Sequence, residues 1–430
     1  MNNFIRAFKQ KKLAHKNLIQ SLSYLSIFQI VNILVPIITL PYLFRVLGKD
    51  VYGLVVFAQA VVSYLVIFIN FGFNTMVVKD ISIHRDNKKE LSNIVSNVYV
   101  LKGFFFLISL GILFFVLKLL PQSKGYESLF FFSMWICLYE FLVPFWYFQG
   151  IEKMKYITYL NFVSRSIFTI LIFVLIKSSD QYLFLPIING IGAIITGFAS
   201  LYIVFKLHKI KFVFNSLHQL LQLIKKALNF FISDVSIKFF ATSNKVIIGA
   251  VLGYSEVAYY DLAEKVINIF RVVPLGIVRD SIYPIVAKTK KIKILHNTSI
   301  IMGLYSIVAI IFIYIFAPQI IGILGGEEML KSVSLLKLGC VIIFTTQISN
   351  YYITVGLWSF GYEKLFRNLM IYSSLIYLSF YAIFWAINLI NIYTIILIPI
   401  LVDIYLIIHI FIIYKTKNFN QHEARIKKNN

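Results

Sequence analysis

Twelve long apolar runs, separated only by short stretches of charge, proline or glycine, decide what this chain can become. A helix needs about 20 mostly apolar residues to cross the roughly 30 Å hydrocarbon layer of a bilayer. Runs of that length lie near residues 19–44, 51–73, 92–117, 127–148, 156–176, 182–205, 226–250, 256–284, 298–322, 332–357, 366–387 and 392–414. Nothing between them is long enough to fold as a separate domain, so mass and mechanism are both expected inside the membrane. Composition agrees. Of the 430 residues 59% are apolar and 14% charged, whereas soluble domains sit near 45–50% and about 25%. That leaves too little polar surface for a cytosolic enzyme, a nucleic-acid binder or a secreted protein. The first apolar run also exceeds a signal-peptide core and has no small-residue cleavage site.

Lysine and arginine outnumber aspartate and glutamate 41 to 18, a net charge of +23. Position explains most of it. One set of alternate loops holds 27 lysines and arginines, including Lys79, Arg85, Lys88, Lys89, Lys206, Lys209, Lys211, Lys225 and Lys226, and the opposite set holds 6. Cytoplasmic loops carry such an excess, so both termini of a multi-pass membrane protein are expected in the cytoplasm. No nucleic-acid partner is implied.

The chain is also doubled. Val46-Leu47-Gly48, Val51 and Ala58-Gln59 recur as Val251-Leu252-Gly253, Val257 and Ala263-Glu264. Gly150-Ile151-Glu152-Lys153-Met154 recurs as Gly361-Tyr362-Glu363-Lys364-Leu365. The offsets, 205 and 211 residues, are each about half the chain. A six-span half repeated in parallel is a transporter architecture, with the substrate path between the halves. The expected fold is therefore an all-α polytopic membrane protein with twelve transmembrane helices in two six-helix bundles. Residues 1–215 would form the first, and 216–430 the second with a short basic cytoplasmic tail.

Ionisable residues inside spans cost several kcal/mol unless they face a bundle interior or water, and so mark functional sites. The cations are Lys102, Arg165, Lys238, Lys245, Lys265, Arg271, Arg279 and Lys337; the acids are Glu140, Asp234, Asp261, Glu264, Asp280 and Asp403. At about 100° per residue, Asp234, Lys238 and Lys245 share a narrow arc of the seventh span, and Asp261, Glu264, Lys265, Asn268 and Arg271 a broader arc of the eighth. Polar stripes of this kind line a hydrated cavity. The competing reading is self-neutralisation: Asp234–Lys238 and Asp261–Lys265 have i,i+4 spacing, and Glu264 could reach a neighbouring helix. Lys102, Arg165, Lys245, Arg271 and Lys337 have no acid at helical spacing, and Lys102, Lys245 and Lys337 lie close enough to span ends to snorkel. A surplus of cavity cations favours an anionic cargo.

Phosphate-loop, zinc-hydrolase, paired-cysteine and nucleophile-elbow motifs are absent. No enzyme activity, metal site or resident cofactor is expected, and any energy input would come from coupling to protons or sodium.

Several strings resemble the Wzx-type polysaccharide flippases, in the superfamily that also holds the multidrug and toxin exporters. They are Pro36 to Gly48 running into Val51-Tyr52-Gly53, Asn70-Phe71-Gly72-Phe73-Asn74, Pro144 to Met154, and Tyr260-Asp261-Leu262-Ala263-Glu264-Lys265 running on to Pro274 and Tyr283-Pro284. The similarity runs from about residue 20 to 410. It implies a MATE-like pair of six-helix bundles around a V-shaped, cation-lined cavity. That cavity would move an undecaprenyl-pyrophosphate-linked oligosaccharide from the cytoplasmic to the periplasmic leaflet by alternating access, for O-antigen or capsule assembly. A polymerase and a chain-length regulator of the same route would be partners, beside membrane lipid. On this reading Lys238, Lys245, Arg271, Arg165, Lys102 and Lys265 bind the pyrophosphate or acidic sugar. Asp234, Asp261 and Glu264 pair with these cations or carry coupling ions. Two alternatives stand: an ion-coupled multidrug exporter, which would want unpaired acids in the first half where only Glu140 is found, and a membrane-embedded polymerase, which would want long periplasmic loops.

Overall fold

A backbone in hydrocarbon has no water to bond, so an apolar run must satisfy its N–H and C=O groups internally, and the helix does so. The computed structural model describes residues 2–416, and all regular structure among them is helical. Nine helices of the described residues are long and apolar enough to cross a membrane. The sequence reading expects three more, and the difference falls at two places. Ile27–Ile83, one stretch of 57 residues in that count, contains a non-helical kink at Gly48. The 35- and 36-residue helices Leu217–Val251 and Tyr254–Thr289 carry the charged stripes and are not among the nine.

The chain packs as two compact units. Unit 1 comprises Met1–Thr39 and Ala58–Lys238, and unit 2 comprises Leu40–Phe57 and Phe239–Asn430. The sequence repeat and the packing thus divide the chain at different places, since residues 40–57 pack with the later helices and 216–238 with the earlier ones.

Unit 1 contains most of α1 (Asn2–Asn70), then α2 (Phe73–Ile83), α3 (Lys88–Leu119), the short α4 (Glu127–Ser133), α5 (Trp135–Leu142) and α6 (Phe145–Gly150), then α7 (Lys155–Leu175), α8 (Phe184–Tyr202) and the first part of α9 (Leu217–Val251). Asn87 caps α3, its side chain accepting from the Lys89 and Glu90 N–H groups. The core is built on Phe73, Val77, Val95, Trp146, Tyr147 and Phe148, all buried.

Unit 2 takes the rest of α9, then α10 (Tyr254–Thr289), α11 (Ile292–Gly325), α12 (Lys331–Gly339), α13 (Val341–Tyr351), α14 (Glu363–Ala386) and α15 (Ile392–Thr416). Its core gathers Leu295, Tyr351, Leu357, Leu369 and Ile410. On α11 the opposite face exposes Ile301, Leu304 and Val308, as a lipid-facing helix does.

The repeat recurs in the backbone. Gly48 (φ 71°, ψ 168°) and Gly253 (φ 102°, ψ 170°) hold the same left-handed, extended-ψ conformation, which essentially only glycine adopts. The fourth helix of each repeat is broken alike, at Met134 (φ −60°, ψ −6°) and at Cys340 (φ −60°, ψ −20°). The later turn corrects the sequence alignment. Glu152 and Gly361 are the positive-φ residues, and the following N–H groups, Lys153 and Tyr362, bond back to Phe148 O and Leu357 O at 2.9 Å. That register is 209 residues, so Glu152, and not Gly150, corresponds to Gly361.

Candidate functional site

In unit 2 four charged side chains of α9 and α10 form one cluster. Asp261, 1% exposed on α10, accepts from Lys245 Nζ at 2.7 Å through Oδ1 and from Lys265 Nζ at 2.6 Å through Oδ2. Lys265 stands one turn along the same helix, and Lys245 comes from α9. Lys245 Nζ also meets Glu264 Oε2 at 2.7 Å. The Tyr52 hydroxyl donates to Asp261 Oδ2 at 2.7 Å and accepts from Lys265, whose ammonium lies 5.2 Å from the centre of the Tyr52 ring. Two lysines face two carboxylates, so the cluster is neutral. Beside it Asn244 Oδ1 accepts from Tyr377 and from Tyr381, and Asn244 Nδ2 donates to Tyr260 Oη at 2.6 Å. This buried knot joins α9, α10 and α14.

Unit 1 joins a direct ion pair to a second carboxylate through two asparagine amides. The α1 helix stops at Asn70, Phe71 (φ 43°) and Gly72 (φ 77°) turn left-handed, and α2 begins at Phe73. Fully buried Lys102 donates to Glu140 Oε1 at 2.7 Å, to Glu140 O at 3.1 Å and to Asn74 Oδ1 at 2.9 Å. Asn74 Nδ2 reaches the same Glu140 oxygen at 2.8 Å, and Asn74 N–H donates to Asn70 Oδ1 at 3.0 Å. Asn70 Nδ2 then donates to Asp234 Oδ2 at 2.9 Å. A continuous relay thus runs from Lys102 to Asp234 across the broken helix.

The two arginines differ from these lysines. Arg165 Nε donates to Asn32 Oδ1 at 3.3 Å, and Arg271 Nη2 to Asn268 Oδ1 at 2.6 Å. Both are half-buried, and among the described residues neither has a carboxylate within 4 Å. Asp403 lies near enough to Arg271 to interact electrostatically, and is itself held by Thr345 Oγ1 at 3.0 Å, Thr346 Oγ1 at 2.7 Å and Ser349 Oγ at 3.1 Å. The side chains of Lys238, Arg279 and Asp280 lie outside the described residues. Lys337 Nζ sits 4.7 Å from the Tyr314 ring centre.

Residues 18–290, well over half of the chain, match the family described as polysaccharide biosynthesis protein. The chain belongs to this family. Two relatives carry the name "Putative O-antigen transporter". The one from Escherichia coli (strain K12) is 26% identical over 363 residues, covering 82% of this chain and 86% of that protein. The one from Shigella dysenteriae is 26% identical over 357 residues, covering 81% and 88%. Among solved structures, the inward-facing conformation of a multidrug resistance MATE family transporter of the MOP superfamily matches with a TM-score of 0.67 at 14% identity, over 92% of this chain and 99% of that one. The outward-facing conformation of such a transporter matches with a TM-score of 0.62 at 14% identity, over 96% and 97%. At that identity the structures speak for the fold alone, which is MATE-like and all-helical. This member of the polysaccharide biosynthesis protein family is a multi-pass membrane transporter and not an enzyme.

Lys102 and Lys245 have no acid at helical spacing on their own helices, yet both are paired in three dimensions. Their carboxylates come from neighbouring helices, Glu140 on α5 and Asp261 with Glu264 on α10. Asp261–Lys265 forms as its i,i+4 spacing suggests. Tyr52, Asn70 and Asn74 were legible only as parts of family-like strings. Neutral amides and a hydroxyl inside apolar runs leave no charge signal to read.

Proposed function

We propose that this transporter is a flippase that carries an undecaprenyl-pyrophosphate-linked oligosaccharide from the cytoplasmic to the periplasmic leaflet of a bacterial inner membrane, by alternating access, for O-antigen or capsule assembly. Its family and its two relatives named for O-antigen transport support the substrate class. The observation that carries the reading is the division of the intramembrane cations into two kinds. Lys102, Lys245 and Lys265 have carboxylate partners within 4 Å, whereas among the described residues Arg165 and Arg271 are hydrogen-bonded to carboxamides, with Asp403 near Arg271 but without an ion-pair contact to it. A guanidinium bonded to an amide keeps its whole charge and retains donors in a fork that matches phosphate oxygens. Each arginine acts within its own unit as an anion-binding group, and Lys238 is assigned with them from the sequence. Lys102, Lys245 and Lys265 act as structural counter-ions. Asp234, Asp261 and Glu264 hold cations in place or carry coupling protons or sodium ions. A polymerase and a chain-length regulator would take up the product.

The test is polymer display in cells that depend on this chain. Arg271→Ala, Arg165→Ala and Lys238→Ala should each insert at normal levels and lose surface polymer. Full display by correctly inserted variants would overturn the assignment.

A further inference from the structure

Between α8 and α9, residues 209–216 run without helix along the first turns of α3. Lys211 N–H donates to Ser92 Oγ at 3.0 Å, Val213 N–H to Ser96 Oγ at 2.9 Å, and Asn215 Nδ2 to Asn97 Oδ1 at 2.8 Å. The segment therefore climbs α3 by about a turn between Lys211 and Val213. At about 1.5 Å per residue, Ser96 and Asn97 lie roughly 9–11 Å along α3 from Glu90, its last charged residue before Lys102. Fixed hydroxyl partners for a non-helical backbone matter most where water is scarce.

The side chains follow the same gradient. Lys209 and Lys211 are exposed at the shallow end, next to exposed Lys88 and Lys89 of α3. At the deep end Phe214 is 86% and Leu217 71% exposed, and the Phe212 and Phe214 rings meet edge to face at 5.2 Å. Backbone and Ile210 held inward, the apolar side chains of Phe212, Phe214 and Leu217 outward and cations at one end make a segment suited to the boundary between headgroups and acyl chains. The lysines match an anionic headgroup layer.

We propose that residues 209–217 are an interfacial anchor, with Phe212, Phe214 and Leu217 in the acyl-chain boundary and Lys209 and Lys211 on anionic headgroups. The connection between the two sequence repeats is then a lipid-seated strap on α3 and not a free aqueous tether. This does not depend on which substrate is carried.

The test places a nitroxide on Phe214→Cys or on Lys211→Cys in the full chain, reconstituted in nanodiscs of mixed phosphatidylglycerol and phosphatidylcholine. Native Cys137 and Cys340 are buried. The label at 214 should collide mainly with oxygen, and the label at 211 mainly with the aqueous nickel chelate, the ratios differing several-fold. Equal nickel access at both positions would overturn the anchor, whether or not transport is intact. Nanodiscs of phosphatidylcholine alone should shrink the contrast several-fold, and an unchanged contrast would overturn the headgroup contact. Adding Ser92→Ala and Ser96→Ala should raise label mobility and nickel access at 214. Unchanged spectra would overturn the strap, and the parent Phe214→Cys protein carries the depth test if that variant does not fold.

Discussion

In unit 1 the chain breaks at Phe71–Gly72, and two asparagines on either side of the break link a buried lysine–glutamate pair to Asp234. In unit 2 the helix that follows the kink at Gly253, α10, runs unbroken from Tyr254 to Thr289 and carries its own carboxylates and lysine on one face. The two repeats share a backbone plan down to the kinks at Gly48 and Gly253, yet they bury charge by different means. A broken helix leaves backbone and space that amide side chains can serve. On the intact α10 the carboxylates are met by side chains alone, Asp261 by two lysines and a tyrosine hydroxyl. Duplication preserved the frame while the polar interior diverged.

The largest expected effect lies in unit 2. Asp261→Ala strands Lys245 and Lys265 together, and breaking a buried pair typically costs about 3–5 kcal/mol. Thermal unfolding followed by fluorescence-detected gel filtration should show a strongly destabilised protein. Asp261→Asn combined with Lys265→Met, which leaves Lys245 with Glu264, should recover most of the loss. In unit 1, Lys102→Met should cost less, at the lower end of about 3 kcal/mol, because Asn74 still donates to Glu140. Equal losses in the two units would erase the distinction between amide-served and lysine-served acids.

A third variant pair probes what the repeats share. Gly48→Ala and Gly253→Ala force a side chain into a conformation that costs on the order of 1–3 kcal/mol, and the two losses should match. A silent Gly253→Ala beside a damaging Gly48→Ala would break the structural equivalence. The smallest effect belongs to Tyr52→Phe, which removes one hydroxyl from Asp261 while both lysines remain, a loss of about 1 kcal/mol.

The frame of this molecule was open to reading because its signals are long or repeated: 20-residue apolar runs, alternating loop charge, and glycines about half a chain apart. The interior was open only where partners share a helix. Asp261 and Lys265 are one turn apart and could be paired on paper, whereas Lys102 and Glu140 are separated by 38 residues and meet through packing. Asp403 was visible as a buried acid. Its three hydroxyl donors, Thr345, Thr346 and Ser349, were not, since serine and threonine in apolar helices usually bond their own backbone. Glycine identity sets the repeat register two residues off, because the positive-φ position is Glu152 in one repeat and Gly361 in the other.

The proposed anion-binding role of Arg165 and Arg271 sets these two guanidinium groups apart from the paired lysines. The direct measurement is the flipping rate of a lipid-linked, pyrophosphate-bearing oligosaccharide in proteoliposomes, compared between Arg165→Gln, Arg271→Gln and the charge-neutral double variant Lys102→Met/Glu140→Gln. Loss of about tenfold or more in each arginine variant is expected, the worth of one hydrogen bond to a charged group, with melting temperatures unchanged and the double variant retaining most of its rate. Arginine variants that flip at the parent rate, or a double variant as inactive as they are, would contradict it.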